Sequence, residues 1–245
     1  MIARRTPPPP QGGGVRRSRA RGRRVPAALD EAVNHCFTSS MPYRRTPAVQ
    51  ARLDAQRASV VDAARALLSE QGYAGCTVAA VAARAGIATG SVYRHFPGKT
   101  ELSVELFRTV VSREVAAVSE AAGHPGHRSA AERVVAVIET FALRALKSPR
   151  LAYALLAEPV DPAVDAERLV FRRAFRDVFA ARVEEGVRSG ELPPQDPVLT
   201  ASALVGAGAE ALVGPLAEGS VGPGTVPALV TFTLRALGAP DADHA

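Results

Sequence analysis

Apolar residues recur at three- and four-residue steps along nearly all of the chain from residue 51 onward, the period of helices that bury one face. The first run predicts a helix over about 51–71, with Leu53, Val60, Val61, Ala64, Leu67 and Leu68 turned inward and Gly72 stopping it. Thr77 stands where it can cap a short helix over 78–85, whose inner face is Val78, Val81, Ala82 and Ala85, and Gly86 breaks that helix. A third short helix is predicted over about 89–96, with Val92 and Phe96 four apart and facing the core. Pro97-Gly98 ends it and opens a long helix over about 99–122, with Leu102, Leu106, Phe107, Val110, Val111 and Val118 inward. GHPGH at 123–127 reads as a loop. Further helices are predicted over 129–147 (Val134, Val135, Ile138, Phe141, Ala142 and Ala145 inward), 150–157, 162–189 (Leu169, Val170, Phe175, Val178, Phe179 and Val183 inward), 197–213 and 225–238. No segment reads as a strand, so the pattern predicts an all-α fold.

Ahead of residue 41 the periodicity fails. PPPPQGGG followed by RRSRARGRR is poor in apolar residues and reads as a disordered tail over 1–40. Met41 is an alternative start, with 1–40 an over-extended gene reading. Charge sharpens the contrast between the ends. Residues 1–50 hold ten Arg against Asp30 and Glu31, a net of +8, while the whole chain is +6. An anionic partner for the front of the chain, nucleic acid above all, is one account of that asymmetry. Coding bias is the other, since only Lys99 and Lys147 are lysines and 28 of the 30 basic residues are Arg. Cys36 and Cys76 have neither disulfide-framework nor metal-ligand spacing, and no cofactor or metal is expected. The most apolar run, 198–217, is interrupted by Glu210 and several Gly, so it reads as a helix near a subunit interface rather than a membrane span. No secretory signal is visible, and a cytoplasmic protein is expected.

The stretch SVYRHFPGKT at 91–100 ends as a nucleotide-binding P-loop ends, in Gly98-Lys99-Thr100. A P-loop, however, needs Gly five positions before Gly98, between a strand and a helix; Tyr93 stands there, after a helical pattern. Lys99 instead opens a helix, where the positive end of the helix dipole and the free N–H groups add to its charge to favour an anion. Thr77, Thr89, Ser91, Tyr93, Arg94 and His95 lie within 25 residues of it and can donate to phosphates and base edges. Helix, Gly-containing turn and second short helix form a helix-turn-helix outline, and the small residues Ala88-Thr89-Gly90-Ser91 allow the second helix to enter a major groove.

TVAAVAARAGIATGSVYRHFPGKTELSVELF, 77–107, resembles the DNA-binding helix-turn-helix of the TetR family of transcriptional regulators, through Thr77, Val81, Ala82, Ala85, Gly86, Ile87, Gly90, Val92, Tyr93, Phe96, Lys99 and Leu102. AARALLSEQGY before it fits as well, and RLVFRRAFRDVFAARVEEGVRSGEL fits more loosely. The resemblance implies a three-helix DNA-binding head over 51–113, with the helix-turn-helix at 77–96. A long fourth helix would join it to an effector-binding and dimerisation body over 114–245.

The function so implied is a DNA-binding regulator, most simply a repressor that holds a palindromic operator as a dimer and is released by a small-molecule effector. By the family pattern Thr89 and Ser91 reach base edges, Tyr93, His95 and Lys99 contact phosphates, and Thr77 caps its helix and touches the backbone, with Gly90 and Arg94 counted among the DNA-binding residues. Arg44 and Arg45 resemble a basic arm for the minor groove. Ala88 departs from the pattern, where Ser or Thr is common, so Thr89 is a candidate to take over the cap. Phe107, Phe141, Tyr153, Phe171, Arg172 and Phe175 are candidates for the effector pocket, with a core role as the alternative. Ala201, Leu204, Val205, Gly208, Leu212, Leu229, Val230 and Leu237 are candidates for the homodimer interface, with the core of the single chain as the alternative. Two rival functions stay open: sequence-independent nucleic-acid binding by the Arg-rich tail, and a helical-bundle enzyme, for which no catalytic set stands out.

Overall fold

A computed structural model describes residues 46–126, 129–220 and 222–239. The expected tail at 1–40, the alternative start at Met41, and Arg44 and Arg45 lie outside the described residues. Those residues form nine helices and no strand: α1 Pro47–Gly75, α2 Val78–Ala85, α3 Thr89–Tyr93, α4 Lys99–Ala122, α5 Ala130–Lys147, α6 Pro149–Leu156, α7 Pro162–Ser189, α8 Pro197–Glu218 and α9 Thr225–Leu237.

Local chemistry explains most boundaries. Thr77 caps α2 by accepting from the Ala80 N–H, and Ser129 and Glu132 form a reciprocal capping box at α5. Asp161 and Asp196 cap α7 and α8, each followed by Pro at the first helical position, where its missing N–H costs nothing. Gly72 interrupts α1 at φ 70° and ψ −170°, a conformation open in practice to Gly alone. The helix therefore stops where the pattern placed its stop, and Tyr73–Gly75 form a separate turn. The third helix is shorter than expected. It ends at Tyr93, because its last turn tightens onto the Val92 carbonyl, which accepts from the His95 and Phe96 N–H groups, and because Pro97 biases Phe96 away from helical backbone.

Two cores share their helices. One gathers Val60, Leu68, Val81, Val92, Phe96, Leu102 and Leu106 from α1–α4, and extends to Ala154 of α6 and Val164 of α7. The other gathers Val118, Val134, Val137, Phe179, Val183, Leu204, Leu212 and Leu237 from α4, α5 and α7–α9. Helices α4 and α7 thus serve both, and the boundary expected at 113/114 falls inside α4. The inward assignment of Leu169 and Val170 is corrected: they are 58% and 50% exposed, because the stripe of α7 that packs inward runs through Val164, Phe171, Phe175, Phe179 and Val183.

Candidate nucleic-acid interface and effector cavity

Helix α3 is anchored on one side and open on the other. Val92 and Phe96 are buried, and the Arg57 guanidinium lies 5.0 Å from the Phe96 ring centroid while reaching Glu105 of α4 at 3.0 Å. Cation–π attraction and the ion pair together fix the end of α3 between α1 and α4. The opposite face carries Thr89 and Gly90, both exposed, half-buried Ser91, and Tyr93 at 51% exposure. Ala88 caps α3 without a side-chain bond, and Thr89 occupies the first helical position. Thr89 does not take over the cap, and its hydroxyl has no protein partner among the described residues.

Exposed Lys99 opens α4 beyond the Pro97-Gly98 corner, and Gly98 caps the helix with no side chain to occupy its N–H groups. Among the described residues Lys99 has no ion pair or hydrogen bond, so its ammonium faces solvent at the α4 N-terminus, whose first turn also carries Glu101. Exposed Arg94 reaches back to Ser91 Oγ at 3.5 Å. His95 stands apart from the other candidates: it is half-buried, with Nε2 3.0 Å from Gln56 Oε1, so that nitrogen serves the packing of α3 on α1. On the far side of α2, Arg84 forms a two-point pair with Glu70 of α1 at 2.5 and 2.9 Å; the Arg84 hydrogen bond holds the Glu70 carboxyl below its ordinary range.

A cavity of about 310 Å³ lies among α4–α8, against Arg65 of α1. Five of the six expected pocket residues line it: Phe107, Phe141, Phe171, Arg172 and Phe175. Tyr153 does not line it, and packs against the second core. Phe107 meets Phe171 edge-on at 5.6 Å, and Phe141 meets Phe175 edge-on at 5.8 Å. Sequence reasoning missed Arg65, Glu114, Arg144, Lys147 and Arg168, which also line the cavity. For Arg168 a signal existed: Arg168, Phe171, Arg172, Phe175 and Phe179 follow one helical stripe. Arg144 is paired with Glu114 at 2.5 and 2.9 Å, and that hydrogen bond raises the arginine further above its usual range.

The segment between α6 and α7 links the cavity wall to the head. Arg168 donates to the carbonyls of Ala154, Leu155 and Glu158 at 2.8, 3.0 and 2.6 Å, which closes the end of α6. The Glu158 carboxylate accepts from the Tyr73 and Ala74 N–H groups at 3.0 and 3.3 Å, beside the Gly72 break in α1. Asp161 accepts from the Ala163 N–H and from Thr100 Oγ1, at 2.9 and 2.7 Å, and these bonds hold its carboxyl below the usual range. A five-residue segment therefore touches the head at the end of α1 and at the start of α4. Neither Glu158 nor Asp161 was singled out from the sequence, since neither carries a motif.

The expected interface residues need correction. Ala201, Leu204, Gly208, Leu212, Leu229 and Leu237 are buried within the single chain, so they have no surface left for a partner; Val205 and Val230 are half-buried. Among the large apolar residues, α8 and α9 leave Val198, Leu199 and Phe232 to solvent, at 53%, 68% and 47% exposure. Helix α8 alone among the described residues is long and apolar enough to cross a membrane, and its buried stripe packs in the second core.

The family model for bacterial regulatory proteins, tetR family, matches residues 60–106, which span α1 from Val60, all of α2 and α3, and α4 to Leu106. An uncharacterized HTH-type transcriptional regulator of Mycobacterium tuberculosis is 30% identical over 156 residues, covering 64% of this chain and 68% of that protein. The HTH-type transcriptional repressor KstR of Rhodococcus jostii is 31% identical over 100 residues, 41% of this chain and 45% of that one. The fold matches that of the transcriptional regulator FadR from Bacillus subtilis, solved with stearoyl-CoA, at a TM-score of 0.60 and 20% identity, covering 74% of this chain and 95% of that chain. With a helix-turn-helix of this geometry, an all-helical body behind it and a relative of that extent, the chain belongs to the TetR family of transcriptional regulators.

Proposed function

We propose that the chain is a cytoplasmic repressor that binds a palindromic operator as a homodimer and is released when a small-molecule effector enters the cavity between α4 and α8. The observation that carries the reading is the two-sidedness of α3 and the turn after it: Val92 and Phe96 are buried, while Thr89, Gly90 and Tyr93, with Lys99 at the start of α4, stand exposed, and the Thr89, Tyr93 and Lys99 side chains have no protein partners among the described residues. Such an arrangement suits a recognition helix, with Thr89 and Ser91 at base edges and Tyr93, Arg94 and Lys99 on the backbone. Thr77, exposed at the start of α2, adds a backbone contact. The side of α8 and α9 that leaves Val198, Leu199 and Phe232 exposed is the surface for the second copy. It would hold two α3 helices about 34–36 Å apart, or a multiple of that. A relative that is a repressor and a fold neighbour solved with an acyl-CoA support the effector-release part.

Sequencing of genomic fragments captured by the purified protein tests the reading. A recurrent palindrome, protected by wild type and by a chain beginning at Met41, is the expected result. Capture without sequence preference, lost on removal of 1–40, favours the second reading, in which the net +8 of residues 1–50 does the binding.

A further inference from the structure

We infer that the cavity takes an amphipathic anion: an aliphatic body capped by a negatively charged group, with Arg172 and Lys147 meeting the charge at the mouth. The inference rests on the effector reading of the cavity and names the chemistry of what enters it.

The lining is polarised from inside to outside. Phe107, Ile138, Phe179 and Leu204 are each buried to within a few per cent and form an apolar floor. Arg172 and Lys147 line the same cavity and are exposed. The charge of the lining is lopsided as well, with five cations, Arg65, Arg144, Lys147, Arg168 and Arg172, against the single acid Glu114. Two of the five are already engaged. Arg144 neutralises Glu114, and Arg168 is spent on three carbonyls and on Asp165 at 2.5 Å. Arg65 comes no closer than 3.9 Å to Asp62, and its buried Nε has no hydrogen-bond partner. Arg172 and Lys147 have no ion pair or hydrogen bond among the described residues.

A neutral apolar ligand would use the floor and leave these cations idle. An acyl chain with an anionic end uses both, since burial drives the chain inward while the charge stays at the wet, cationic rim. At about 310 Å³ the cavity is at the small end for ligand sites, which suits a single chain with its head group at the mouth. A free carboxylate and a thioester to a phosphorylated carrier share this chemistry.

Calorimetric titration of the full chain with decanoate, decanol and decanoyl-coenzyme A tests it, beside displacement of the neutral dye Nile red. Decanoate or the thioester should bind about tenfold more tightly than decanol, the sum of two exposed charge contacts. Arg172→Gln with Lys147→Gln should abolish that preference while leaving decanol within about twofold. Arg172→Lys with Lys147→Arg should keep it. Val205→Phe, which places a ring in the cavity, should weaken all three ligands. The free acid binding better than its thioester assigns a carboxylate head; the reverse assigns the phosphorylated carrier. Equal affinity for decanoate and decanol, or a preference that survives the double Gln variant, overturns the inference and leaves the effector cavity standing. Failure of all three ligands and of Nile red to bind removes the cavity reading and the inference with it.

Discussion

Gly72→Ala separates two costs that the structure places on one atom. The first is conformational. At φ 70° and ψ −170° the backbone lies in a region that L side chains enter at a cost of about 1–3 kcal/mol. The second is steric. A Cβ at Gly72 would stand 2.6 Å from Glu158 Oε2 and 2.9 Å from Oε1, so the carboxylate must leave the N–H groups of Tyr73 and Ala74. Two hydrogen bonds to a half-exposed carboxylate are together worth about 1–2 kcal/mol. Gly72→Ala should therefore destabilise by about 2–5 kcal/mol, and Glu158→Ala, which loses only the bonds, by about 1–2 kcal/mol. The double variant should cost no more than Gly72→Ala alone, because the bonds cannot be lost twice. Urea denaturation of the four proteins measures this directly, provided the slope is unchanged. If Gly72→Ala costs under about 1 kcal/mol, the conformational argument is wrong. If the two single changes add to within about 0.5 kcal/mol, the Glu158 contact is not what the Cβ disturbs.

Three further outcomes follow from single side chains. Lys99→Ala should weaken binding to every duplex about equally and lower the slope of log affinity against log salt by about one per bound chain; an unchanged slope refutes its phosphate contact. The Tyr73 hydroxyl is buried without a hydrogen-bond partner, and burial pushes its pKa far up, so Tyr73→Phe should stabilise the fold by about 0.5–1.5 kcal/mol in urea; a loss of similar size would show that the hydroxyl is satisfied. Burial raises the Cys76 thiol to about 11, and its Sγ is 3.5 Å from the Ala64 carbonyl. The folded thiol therefore keeps its proton where the unfolded one loses it, so its contribution should be full below pH about 8.5 and should fall from there towards 11; Cys76→Ser should remove the fall that begins near 8.5 and leave the one that Tyr73 adds above about 10. Reaction of Cys76 with a thiol reagent at pH 8 before global unfolding would contradict this burial.

The head was legible because its signals are local. Gly72, Thr77, Gly86 and Pro97-Gly98 each act within a turn of their own position, and the structure puts a stop, a cap, a break and a corner there. Five of the six pocket candidates, on α4, α5 and α7, also line one cavity, since a helical stripe fixes which residues share a face. What the chain did not reveal is what each stripe meets. The face of α8 through Ala201, Leu204, Gly208 and Leu212 reads identically as an interface or a core, because both bury small and branched apolar residues; only the position of α5 and α7 decides that it is core. Leu169 and Val170 misled for the same reason, as α7 carries more apolar residues than one face holds. Glu158 and Asp161 were invisible because their partners, Tyr73, Ala74 and Thr100, are 85, 84 and 61 residues away.

On the proposed function, the sharing of helices between the two cores bears on how an effector could reach the DNA. Phe107 of α4 and Phe171 of α7 meet edge-on in the cavity wall. Lys99 precedes Phe107 by eight residues of the same helix, about 12 Å along its axis. A ligand that separates the two rings must move α4 against α7, because packed cores rearrange between discrete states rather than stretch. The joints of that movement are already visible: the Thr100–Asp161 bond ties the start of α4 to the start of α7, and Glu158 ties the end of α1 to the same segment. Breaking these joints one at a time separates the two routes. If Thr100→Val leaves operator affinity intact but abolishes release by the effector, the signal runs through α4. If Glu158→Gln does so instead, it runs through the Gly72 turn, and α4 only carries the lysine.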